Sequence, residues 1–200
     1  MEPFKNLLNP ALVKSAGRRL QAVDAKFDRK AFERLALDGL ELLEMKARTV
    51  QIAKALQATL PHATAAQFAK SCALLEAALG PPVAVDGLAG ARSDVSDGLA
   101  GWIIWPLGEY VALAGLPYPK RALKALHALT QRLSAEFSIR PFIVEHPALV
   151  FATLQSWTQD PSAHVRRLAS EGSRPRLPWG LRLQSLVADP SPTLPILAAL

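Results

Sequence analysis

Beyond Lys124 every basic side chain except histidine is an arginine: Arg132, Arg140, Arg166, Arg167, Arg174, Arg176 and Arg182. Arginine's planar fork matches two oxygens of a phosphate at once, so this choice of base suits contact with a polyanion. All of these but Arg132 lie in the stretch from Ser134 to Arg182, which also holds the carboxylates Glu136 and Glu171 and the indole of Trp179. Three runs stand out: Ala135-Glu136-Phe137-Ser138-Ile139-Arg140-Pro141-Phe142-Ile143, His164-Val165-Arg166-Arg167-Leu168-Ala169-Ser170-Glu171-Gly172, and Ser173-Arg174-Pro175-Arg176-Leu177-Pro178-Trp179-Gly180. Val165, Leu168 and Ala169 fall on one helical stripe, which turns Arg166 and Arg167 away from the core. Arg174 and Leu177 each precede a proline and are pushed toward extended geometry, which displays Arg174 and Arg176. Pro178 is expected to open a helix with Trp179 in its first turn, beside a dipole end that favours phosphate.

Each of these residues also has a purely structural role open to it. Arg167 and Glu171 are spaced for a surface pair worth about 0.2–0.5 kcal/mol. Glu136 could bridge to Arg140, and Trp179 could pack on Pro178. Trp102 and Trp105 bracket an apolar helix and read as core. His62, His127, His146 and His164 lack metal-ligand spacing, and no metal or cofactor is expected.

The elements that must carry these residues are helical. Asp28 is placed to cap a helix whose stripe is Phe32, Leu35, Ala36, Leu40 and Leu43. A helix from Met45 to Leu60 stops before Pro61, and another from Ala65 to Leu79 stops at Gly80-Pro81-Pro82. Residues 80–98 are rich in glycine and aspartate and read as a loop or insert. Gly101 to Gly115 reads as an apolar helix kinked at Pro106. Pro119 precedes a helix with the stripe Ala122, Leu126, Leu129 and Leu133. Phe142-Ile143-Val144 is a β-like run, but a sheet would need several partners.

A repeat follows. The helix Pro147 to Trp157 leads through Asp160-Pro161-Ser162 into a second helix, and Pro178 to Val187 leads through Asp189-Pro190-Ser191 into another. In both, Asp is placed to cap and Pro to occupy the first helical position. Helix, turn and helix repeated in this way is the signature of a stacked helical-hairpin solenoid with a concave face. Leu194, Ile196, Leu197 and Leu200 close the chain as an apolar run, so a single repeat domain over 1–200, cut short at its C-terminus, is expected.

Composition fits a globular domain, with 50% hydrophobic and 20% charged residues. The net charge is +6; residues 1–100 carry 13 bases and 11 acids, against 10 and 6 in residues 101–200, so the excess leans toward the C-terminal half. Positive charge raises the odds of a polyanion partner without identifying one. The lone Cys72 suits a reducing, cytoplasmic setting. The apolar stretch Gly101 to Leu116 is too short to span a membrane and contains Glu109.

The runs quoted above, with Phe4-Lys5-Asn6 and Gly101-Trp102-Ile103-Ile104-Trp105-Pro106, resemble the AlkC group of DNA alkylation-repair glycosylases. The resemblance is weakest from Gly80 to Gly98. It implies an all-α fold of HEAT-like repeats, with alkylated double-stranded DNA bound along the concave face by a monomer. It implies excision of cationic bases such as 3-methyladenine, with 3-methylcytosine a further candidate, and no cofactor, metal or membrane. Carried onto this chain, Glu136, Glu171 and Trp179 match positions close to the lesion, and Arg140, Arg166, Arg167, Arg174 and Arg176 are assigned to the DNA backbone. The group also uses an aspartate in the repeat that would follow Leu200. The alternative is a non-catalytic HEAT-type scaffold that binds DNA or protein through the same arginines; an RNA-binding repeat lacks any regular base-reading pair.

Overall fold

The computed structural model describes residues 3–83 and 97–200, and these are helical. Eleven α-helices are described: α1 (Pro10–Val23), α2 (Arg29–Leu37), α3 (Met45–Thr59), α4 (Ala65–Ala78), α5 (Ile104–Gly115), α6 (Pro119–Thr130), α7 (Arg140–Glu145), α8 (Pro147–Trp157), α9 (Ala163–Gly172), α10 (Gln184–Ala188) and α11 (Leu194–Ala198). Short 3-10 turns occupy Phe4–Leu7, Leu40–Leu42, Gly101–Ile103 and Ser191–Thr193. None of the described helices is long and apolar enough to cross a membrane.

Local chemistry sets most helix starts. Asn9, Asp28 and Thr64 accept a backbone N–H in the first turns of α1, α2 and α4, each cap contributing about 1 kcal/mol. Thr64 and Gln67 bond reciprocally as a capping box. Pro119 takes the first position of α6, where a missing N–H costs nothing. Pro106 follows the same rule. It lies in the first turn of α5, directly after the 3-10 turn Gly101–Ile103, so it stands at a helix start and not in mid-helix as expected.

The helices form two rows. α1 packs on α4, α4 on α6 and α6 on α9, while α2 packs on α3 and α3 on α5. The rows join through α1 with α2, α4 with α5, α5 with α6 and α8 with α9. Between them lies one apolar core that includes Leu20, Phe32, Ile52, Leu56, Phe68, Leu126, Phe142, Leu154 and Leu168.

Phe142-Ile143-Val144, the β-like run without partners, forms no strand and is helical, part of α7, with Phe142 and Ile143 in the core. Two readings are corrected. The stretch after Pro178 does not open a helix: residues 175–183 are turn and extended chain, and α10 begins only at Gln184. Asp160 and Asp189 do not cap helices. Each accepts the N–H two residues on, from Ser162 at 2.8 Å and Ser191 at 3.0 Å, and closes a tight Asx turn ahead of the helical residues. Of the loop read over 80–98, residues 84–96 lie outside the described part. Its described ends meet in a parallel bridge between Leu79 and Leu99.

Candidate functional site

Glu136 lies in the turn between α6 and α7, and two close approaches deliver it. A Cβ on Gly108 of α5 would stand 2.5 Å from the Ser138 hydroxyl, so only glycine lets this turn lie on α5. A Cβ on Gly172 would stand 2.7 Å from Ile139, so the end of α9 meets the same turn. The side chain of Glu136 is 14% exposed; it accepts from the Ser134 hydroxyl at 2.8 Å and pairs with Arg167 at 3.1 Å. Glu171 is in the last turn of α9, where the helix dipole disfavours an anion, and it pairs with Arg174 at 2.9 Å.

The hydrogen bond and charge interaction of Arg174 with Glu171, supplemented by the charge of Glu136, hold its guanidinium above the usual arginine value. The alternatives read from spacing are thereby replaced: Arg167 bridges to Glu136 rather than Glu171, and Glu136 bridges to Arg167 rather than Arg140.

Trp179 joins from the next loop. Leu177-Pro178-Trp179-Gly180 is a turn closed by Gly180 N–H donating to the Leu177 carbonyl at 3.0 Å. Proline at its second place and φ +66° at its third are the requirements of a type II turn, which normally places glycine where Trp179 stands. The indole remains 57% exposed. Its ring lies 6.2 Å from Trp105, with planes 8° apart, and 5.6 Å from Phe4. Trp105 stacks in turn on Phe137 at 4.8 Å, and Phe4 meets Trp102 edge-on at 4.8 Å. Phe137, Trp105 and Trp179 form a chain of ring contacts that begins beside Glu136, and Glu171 lies one helical turn along α9 from Arg167, the partner of Glu136.

The arginines divide by role. Arg167, Arg174 and Arg176 are exposed, and Arg176 has no ion pair or hydrogen bond among the described residues. Arg166 is half-buried and donates to the carbonyls of Asp160 at 2.7 Å and Pro161 at 3.1 Å, which ties it to the turn before α9. Arg140 requires a correction. It is fully buried, and it donates to the carbonyls of Leu181, of Gly172 at 3.1 Å and of Pro175 at 3.3 Å. Burial pulls its guanidinium below the usual arginine value, and Arg174 adds to that while Glu136 opposes it. Its fork is spent on the loop it supports and has no face for a phosphate.

Sequence reasoning missed two further members. Lys46, in the first turn of α3, donates to the Trp179 carbonyl at 3.1 Å. Glu109 stands on α5 one turn beyond Trp105, half-buried, and burial raises its carboxyl while the charge of Lys46 lowers it. The i,i+4 spacing of Trp105 and Glu109 was the available signal, since it puts both on one face. Reading Trp105 as core holds for its burial, at 5% exposed, but its outward neighbour is Trp179.

No family model matches the chain. It is 33% identical over 201 residues to the uncharacterized protein YhaZ of Bacillus subtilis (strain 168), a match that covers 100% of this chain and 50% of that protein. It is also similar to a solved structure of the Pseudomonas fluorescens alkylpurine DNA glycosylase AlkC bound to DNA containing an abasic site analog. There the TM-score is 0.82 at 33% identity, covering 100% of this chain and 50% of that one. The chain spans about half the length of both relatives, and over its whole length it has the AlkC-type helical-repeat fold.

Proposed function

We propose that the chain is a DNA-repair glycosylase that hydrolyses the N-glycosidic bond of cationic alkylated bases such as 3-methyladenine. The observation that carries this reading is the junction of Glu136, Glu171 and Trp179 on one connected surface, in a fold similar to that of a DNA-bound glycosylase.

The chemistry asks little of an acid. Alkylation at ring nitrogen 3 gives the base a positive charge and makes it a ready leaving group, so no proton need be supplied. What remains is to stabilise the positive charge that develops on the sugar and to orient the attacking water. Paired carboxylates do both in glycoside hydrolases. The exposed face of Trp179 attracts a cationic base by about 0.5–2 kcal/mol, which a neutral base would not receive. Arg167, Arg174 and Arg176 are the exposed forks assigned to the phosphates.

A second reading has its own support. Glu136 and Glu171 each face an arginine, and a neutralised carboxylate stabilises a cation poorly. A DNA-binding scaffold without catalysis would keep those pairs. On the glycosylase reading, DNA phosphates draw Arg167 and Arg174 away and uncover the carboxylates.

The test is single-turnover release of 3-methyladenine from alkylated duplex DNA by the 200-residue chain extended through the next repeat and by the Glu136→Gln variant of that extended chain. The glycosylase reading expects release that falls about a hundredfold or more in the variant while DNA affinity holds. DNA binding with no release by either protein would leave the scaffold.

A further inference from the structure

Trp179 occupies a conformation that works against its residue type. With φ at +66° a side-chain-bearing residue gives up about 1–3 kcal/mol, and glycine would make the same turn without that strain. Something outside the turn must therefore hold it. Arg140 holds the chain beneath, since a Cβ on Gly180 would already be 3.2 Å from its Cδ. Trp105 and Phe4 hold the ring. The Trp179 peptide group has a separate tether, the ammonium of Lys46 at 3.1 Å from its carbonyl oxygen, reaching across 133 residues of sequence.

Lys46 is itself placed by the packing of α3 on α5, the helix that carries Trp105.

We infer that Lys46 is a positioning residue for Trp179: it pins the carbonyl of Trp179 in the Leu177–Gly180 turn and so fixes the angle at which the indole is presented. Its effect on excision rests on the proposed function. Its effect on the indole does not.

The experiment compares Lys46→Met, Lys46→Arg and the parent chain, each carrying 5-fluorotryptophan. Four tryptophans give four fluorine resonances, and loss of one in Trp179→Phe assigns Trp179. Lys46→Met is expected to shift or split the Trp179 resonance and leave that of Trp157 in place, and Lys46→Arg to restore the parent spectrum. An unmoved Trp179 resonance in Lys46→Met overturns the inference, whether or not the chain releases any base.

On DNA, Lys46→Met is expected to lower the saturating single-turnover rate about tenfold or more, as small misplacements do, with the salt dependence of binding unchanged. A fall of about 0.9 in that slope with an unchanged rate would make Lys46 a phosphate contact instead. If the parent releases no base, the fluorine spectra still decide the role of Lys46.

Discussion

Arg140 and Glu109 are two ionisable side chains that the fold treats in opposite ways. Arg140 is buried with a full set of carbonyl partners, so breaking it leaves several acceptors stranded. Arg140→Met should cost about 3 kcal/mol or more in urea unfolding, and Arg140→Lys should recover little, because an ammonium cannot reach three carbonyls from a planar fork. Burial raises the carboxyl of Glu109, so the folded chain holds that proton more tightly than the unfolded one. Its charged form therefore weakens the fold above the raised value, and the penalty vanishes below the ordinary carboxylate range. Glu109→Gln should be more stable than the parent near neutral pH, with the gain shrinking as pH falls through the interval between those values. Equal stability differences at neutral and acid pH would contradict this. Neither environment was legible in the sequence. Spacing places Arg140 beside a proline at a helix start, but it cannot say that residues 172–181 fold back over it.

At the scale of elements, helices were read well wherever a cap or a proline marked the boundary: α2, α3, α4, α6 and α8 start or stop where Asp28, Pro61, Pro81, Pro119 and Pro147 require. The misreadings share a cause. Pro106, Pro178 and the two Asp-Pro-Ser segments are compatible with more than one turn, and tertiary contacts choose among them. The two Asx turns look equivalent in sequence but differ in support. Asp160 also accepts from His127 at 2.8 Å, joining the turn to α6, whereas the side chain of the exposed Asp189 accepts from Ser191 alone among the described residues. Asp160→Ala should therefore lower thermal stability by an amount equivalent to about 1–2 kcal/mol, and Asp189→Ala by a few tenths. Comparable losses in both would mean that the local turn alone matters.

Across the whole molecule, the candidate site draws on both ends of the chain. Phe4 and Lys46 come from the N-terminal part, Trp105 and Glu109 from the middle, and Glu136, Glu171 and Trp179 from the C-terminal part. Glu136, Glu171 and Trp179 were named as site residues through a family resemblance; the spacing of 35 between Glu136 and Glu171 carries no periodicity that would pair them. The positive charge was legible as a lean toward the C-terminal half, and the structure sorts it into arginines that face out and arginines that hold turns. That sorting gives a contrast. Arg174→Glu should reduce the salt dependence of DNA affinity, whereas Arg166→Glu should act mainly on stability, because its guanidinium secures the carbonyls of Asp160 and Pro161. A matched fall in salt slope for both would place Arg166 on the DNA as well.

The loop over Arg140 has one further consequence. Residues 173–183 contain no helix, yet Leu183 N–H donates to the Pro175 carbonyl at 3.1 Å and Gly180 N–H to Leu177 at 3.0 Å, inside a span fastened at Gly172, Pro175 and Leu181 by a single side chain. A span pinned in this way cannot fray from its ends. The bonded amides of Gly180 and Leu183 should exchange with deuterium far more slowly than their unbonded neighbours Arg176 and Arg182, and in Arg140→Met that protection should be lost while α9 stays protected.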